Sequence, residues 1–139
     1  MLKRQPIQME VRSTMSRYVV VNPDGNMDIR EAALQELRQM VNPYGGDTSD
    51  FVIHRAFGPN AGMRGLVADT AGLAKDRYPP NHLAGRLIDA LGGPDRYWFG
   101  SLAICGYRLG IDGELLLCGL SDSQRHLITQ VYSAVHEQA

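Results

Sequence analysis

Apolar residues along this chain fall in short clusters separated by glycine, proline and asparagine, and the spacing within each cluster predicts an element. Tyr18, Val19, Val20 and Val21 form a β-branched and aromatic run suited to a buried strand. The run ends in Asn22-Pro23-Asp24-Gly25, where proline presets φ and glycine accepts φ > 0, the signature of a tight turn. Asp28 with Glu31 three residues on predicts a capped helix start, and Leu34, Leu37, Met40 and Val41 give that helix one apolar face. Asn42-Pro43 and Gly45-Gly46 stop it. Residues 51–57 and 63–68 predict strands on either side of a glycine-rich loop, and residues 69–72 a turn.

Pro79-Pro80 introduces a second helix carrying Leu83, Leu87, Ile88 and Leu91, closed by Gly92-Gly93-Pro94. Residues 98–109 and 114–120 predict a hairpin around Asp112-Gly113, and unbroken Leu115-Leu116-Leu117 predicts a strand covered on both faces. Ser121 with Gln124 forms a second capping box ahead of the apolar stripe Leu127, Ile128, Val131, Tyr132 and Val135. The expectation is an α+β domain: a mostly antiparallel sheet of about five strands with about three helices packed on one face. Residues 1–16, with Lys3, Arg4 and Arg12, read as a basic leader arm, and residues 17–139 as a single domain.

Composition narrows the function classes. At 139 residues, with 44% hydrophobic and 21% charged positions, the chain can bury its own core. Fourteen basic residues against fifteen acidic ones argue against duplex DNA as a partner, since such binding depends on clustered cations. No apolar run approaches the roughly 20 residues of a membrane span, and Gln5, Gln8, Glu10 and Arg12 interrupt any secretory apolar region. A cytoplasmic location without membrane partners is expected, and two cysteines fit a reducing compartment.

Candidate chemistry is sparse. Gly58-Pro59-Asn60-Ala61-Gly62-Met63-Arg64-Gly65 would allow close backbone approach to a phosphate, with Arg64 as cation. It lacks the Lys-Ser/Thr and following helix of a P-loop, and a long hairpin loop is the plainer reading. Cys105 and Cys118 flank the last hairpin as buried thiols, a cross-strand disulfide, or half a metal site with His126; buried thiols are the plainest of the three. They would face the same side if the loop holds an even number of residues. His54 is the histidine worth testing as a base, though no carboxylate is spaced to orient it. No triad, paired carboxylates or tight zinc pair occurs, so no catalytic residue, metal or cofactor is expected. Tyr44, Arg64, Arg77 and Arg96 are the expected binding residues, because Tyr and Arg at loop positions anchor interfaces. Trp98 divides evenly between interface and core.

The order of the segments 18–25, Ala32 to Leu37, Gly45-Gly46, Gly65 to Leu73, Pro80-Asn81-His82-Leu83-Ala84 and Gly119-Leu120-Ser121-Asp122 resembles a domain-of-unknown-function family of small phage- and plasmid-encoded bacterial proteins. The likeness spans about residues 17–135. It departs at the basic leader, the longer loop at residues 58–62 and the Tyr78-Pro79-Pro80 approach. The family carries no established catalytic residues. The resemblance implies a mobile-element gene with an accessory role. The expected function is a non-enzymatic protein that binds a host or defence-system component. The alternatives are a signalling-nucleotide or other small-molecule binder, and an enzyme without a recognisable motif. A homodimer through exposed strands such as residues 63–68 is compatible with the pattern.

Overall fold

A computed structural model describes residues 15–53, 62–69 and 77–137. The leader, apart from its last two residues, lies outside the described residues, as do residues 54–61, with His54, the end of the expected strand 51–57 and most of the expected glycine-rich loop, and residues 70–76. The described residues form six strands and three helices: β1 (Met15–Val21), β2 (Met27–Ala33), α1 (Leu34–Val41), β3 (Thr48–Ile53), β4 (Met63–Ala68), α2 (His82–Ala90), β5 (Leu102–Leu109), β6 (Leu115–Cys118) and α3 (Asp122–Glu137). None of these helices is long and apolar enough to cross a membrane.

All strands pair antiparallel in the order β2-β1-β5-β4-β3, with β6 also on β5. Gly106 pairs with Met63 of β4 on one side, so its other partner, Cys118, places β6 on the side of β5 that β1 occupies further along. Residues 102–106 of β5 are buried throughout, which is why Leu-Ala-Ile-Cys-Gly carries no polar side chain there. The α+β class stands as expected, with helices on both faces rather than one. Leu37 and Val41 of α1 pack on Tyr18, Val20, Leu66, Ala103 and Cys105. On the opposite face α2 and α3 cover Val19, Val21, Leu102, Ile104, Met63 and Val67. Strand alternation demands this result, because β1 and β5 are apolar at consecutive positions and need cover on each side.

Three further expectations are corrected. Residues 28–33 are strand, not helix: the turn at Asn22 to Asn26 folds the chain straight back on β1, in register from Val21↔Met27 to Met15↔Ala33. Seven residues of ladder outweigh one local capping box, and α1 starts only where Glu36 Oε1 accepts from the Ala33 N–H at 3.2 Å. Strand 115–118 is not covered on both faces: Leu115 is exposed and Leu116, Leu117 and Cys118 are only partly buried. Strand 63–68 lies inside the sheet, paired with β3 along its whole length and with β5 over residues 63–66, so it is not the exposed strand that the pattern suggested. The final helix matches the sequence reading: Ser121 Oγ accepts from Gln124 N at 3.1 Å, and Gln124 Oε1 from Ser121 N at 2.9 Å.

Gly65 sits opposite Phe51, and a Cβ there would fall inside the Phe51 ring. Gly65→Ala is expected to lower stability by about 1–3 kcal/mol. Adding Phe51→Leu should recover part of that loss, so that the two changes couple strongly. Urea denaturation of the four proteins of this cycle measures it, and simple additivity would contradict the overlap.

Candidate functional site

The segment before α2 is held against the segment before β5. Asn81 N–H donates to Trp98 O at 2.8 Å, Gly100 N–H to Pro79 O at 2.8 Å, and Pro80 bridges Phe99 between them. The buried Asn81 side chain completes the join. Its Nδ2 donates to Val21 O at 3.1 Å and Gly100 O at 2.8 Å, while its Oδ1 accepts from Ala84 N at 3.1 Å as the α2 cap. This arrangement fixes Trp98 beneath α2 with only 4% of its surface exposed, so the core reading of that residue is the right one.

A stack follows from that placement. The Phe51 ring lies over Gly65, the Trp98 ring centre stands 4.3 Å from Phe51, and the Arg96 guanidinium lies 4.1 Å over Trp98. Beside the stack, a groove of about 500 Å³ runs between α2 and residues 95–99. His82, Gly85, Arg86 and Asp89 form its helical wall, and Asp95, Arg96 and Tyr97 its loop wall. Tyr97 is 86% exposed. The indole Nε1 of Trp98 is buried and, like Arg64 Nε, has no hydrogen-bond partner among the described residues.

The residues expected from sequence to bind do not form one site. Tyr44 and Arg77 do meet, the guanidinium 5.3 Å from the ring centre, at a cleft of about 100 Å³ where Tyr44 also packs edge-on to Tyr78. Arg64 is elsewhere: Asp50 Oδ2 takes its Nη1 at 3.0 Å, and the guanidinium lies 5.3 Å from the Tyr107 ring centre. An arginine so engaged has less charge to offer a phosphate. Arg96 alone stands at the groove. Sequence reading missed His82, Gly85, Arg86, Asp89 and Asp95. The available signal was the polar face of α2 opposite Leu83, Leu87 and Ile88, which by itself reads as solvated surface. A larger, polar cavity of about 690 Å³ lies beside α1, and two hydrogen bonds run between side chains that line it: Arg38 Nη1 donates to Thr48 Oγ1 at 2.7 Å and Ser49 Oγ to Asp69 Oδ1.

Among the described residues no three His, Cys, Asp or Glu side chains are grouped to hold a metal. The resolved titration shifts all keep protons on. Burial pushes the Tyr18 and Tyr78 phenols and the Cys118 thiol up, and pushes Cys105 up to about 12. Neutral thiols and phenols are poor nucleophiles and bases at neutral pH. The two cysteines are free, and the β5–β6 register pairs Gly106, not Cys105, with Cys118. The sulfurs therefore point to opposite faces of the sheet, which rules out the cross-strand disulfide. No family model, curated protein or solved structure matches the chain.

The Cys105 shift has a definite sign. The unfolded thiol ionises near 9 and the folded one near 12, so the folded state holds the extra proton between those values. Stability from this group is full below pH 9 and falls as pH rises toward 12. Urea midpoints should therefore drop from pH 8 to pH 10.5, and drop less in Cys105→Ala. Equal pH dependence in the two proteins would contradict the assignment.

Proposed function

We propose that this chain is a non-enzymatic accessory protein of phage or plasmid type that works by binding a protein of the host cell or its defence machinery, using the groove between α2 and residues 95–99. The observation that carries this reading is Tyr97, almost fully exposed beside Arg96, which is itself stacked on a fixed, buried Trp98. Tyr, Trp and Arg on a rigid support are the residue types that dominate binding energy at protein interfaces, because they bury large areas at little entropic cost. The resemblance to small phage and plasmid proteins supplies the expectation of a host partner.

Tyr97→Ala combined with Arg96→Ala, compared with Tyr44→Ala combined with Arg77→Ala, tests the reading by affinity capture from bacterial lysate. A stoichiometric partner should be retained by the wild type and the second variant and weakened at least about tenfold in the first, the loss of roughly 1.4 kcal/mol or more expected of an interface anchor. Equal retention by all three proteins, or turnover of a nucleotide by the pure protein, would contradict it.

A further inference from the structure

The sheet ends on β2, which pairs with β1 on one side and with no strand on the other among the described residues. Asp28, Ile29, Arg30 and Glu31 follow one another along it and all are exposed, Ile29 to 52%. An open strand edge is a template for pairing with another strand. β3, at the other end of the sheet, carries Asp50 as its single charge, and Arg64 already engages that carboxylate.

The β1–β2 register determines which backbone groups this edge presents. Asn22 N–H donates to Asn26 O at 2.8 Å, and the pairs of an antiparallel ladder alternate between hydrogen-bonded and not. Along the ladder from that pair, Asp28, Arg30 and Ala32 direct their N–H and C=O groups toward β1, and Met27, Ile29 and Glu31 direct theirs outward. The Ala33 N–H continues the outward series, and Glu36 Oε1 accepts from it within the same chain.

Two copies of this edge can join antiparallel about a twofold axis only where outward residues face outward residues. Charge then selects the register. An axis at Asp28 or at Arg30 sets like charges directly opposite, and an axis at Glu31 sets two carboxylates opposite. An axis at Met27 faces Ile29 with Gly25, where the turn has left strand conformation with φ at +92°. An axis at Ile29 faces Asp28 with Arg30 of the second copy, and Arg30 with its Asp28. These become non-hydrogen-bonded pairs, in which opposing side chains stand closest. Charges on an edge commonly guard it against pairing. Here an aspartate and an arginine two residues apart are complementary to a copy of themselves, and Arg30 has no ion-pair partner within the described residues.

We propose that β2 is a self-association edge whose occupant is a second copy of this chain, joined antiparallel about a twofold axis at Ile29. Met27, Ile29 and Glu31 of each copy exchange backbone hydrogen bonds with Glu31, Ile29 and Met27 of the other. The two Ile29 side chains cover each other, and the two sheets become continuous.

Sedimentation equilibrium of the full chain tests the pairing and its register. The wild type should sediment with twice the monomer mass. Asp28→Arg places arginines opposite each other at both symmetric pairs, and Arg30→Asp does the same with aspartates, so each variant alone should dimerise at least about tenfold more weakly. An equimolar mixture of the two variants faces arginine with aspartate at both pairs and should regain a heterodimer of wild-type affinity, which also shows that both variants are folded. A wild type that stays monomeric up to about 200 µM, a dimer that neither variant weakens, or variants that remain monomers when mixed would overturn the proposal.

Discussion

One buried amide, Asn81, joins the parts of this molecule that would otherwise be independent. Its Nδ2 donates to a carbonyl at the end of β1 and a carbonyl just before β5, and its Oδ1 accepts from the Ala84 N–H in the first turn of α2. Each of those groups is buried, and leaving one unpaired would cost about 1–3 kcal/mol. No aliphatic residue could replace these bonds, and an aspartate would meet two carbonyl oxygens with no N–H to give them. The position and tilt of α2 over the sheet therefore depend on a polar contact set in an apolar layer.

The groove is a consequence of that contact. With residues 79–81 paired to 98–100, Trp98 is fixed between α2 and the Phe51 ring, and the Phe51 ring needs the bare backbone of Gly65 beneath it. Arg96 lies on the outer face of this stack, and Tyr97 projects from it because its neighbour on each side is already committed. The surface around Arg96 and Tyr97 is thus held in place by contacts that lie within the core. Stacked side chains on a fixed base would lose little freedom if a partner bound there.

The parts of the fold set by neighbouring residues were legible in the sequence. The Ser121–Gln124 cap, the final hairpin and the helix after Pro80 follow from contacts within a few positions, and they stand where the pattern places them. The start of α1 was misread because the Asp28–Glu31 box is local, while the ladder that overrides it belongs to β1. The division of helices between two faces needs the order of strands, which no spacing reveals. The site was less legible still. Asn81 reads as an ordinary residue ahead of a helix, since its partner carbonyls are at Val21 and Gly100. Arg96 was identified from its residue type, but Gly85 and Arg86 join it only through the packing of α2. Tyr44 with Arg77 and Arg64 with Asp50 proved to be separate surface pairs.

Whether the Asn81 contact governs the groove is most directly measured by acrylamide quenching of Trp98 in the wild type and in Asn81→Ser. Serine keeps an acceptor for the helix cap but supplies no donors for both carbonyls. The account predicts that Trp98 becomes several-fold more accessible to quencher in the variant, under conditions where far-ultraviolet circular dichroism still reports a folded sheet and helices. Wild-type protection of Trp98 in that variant would contradict it.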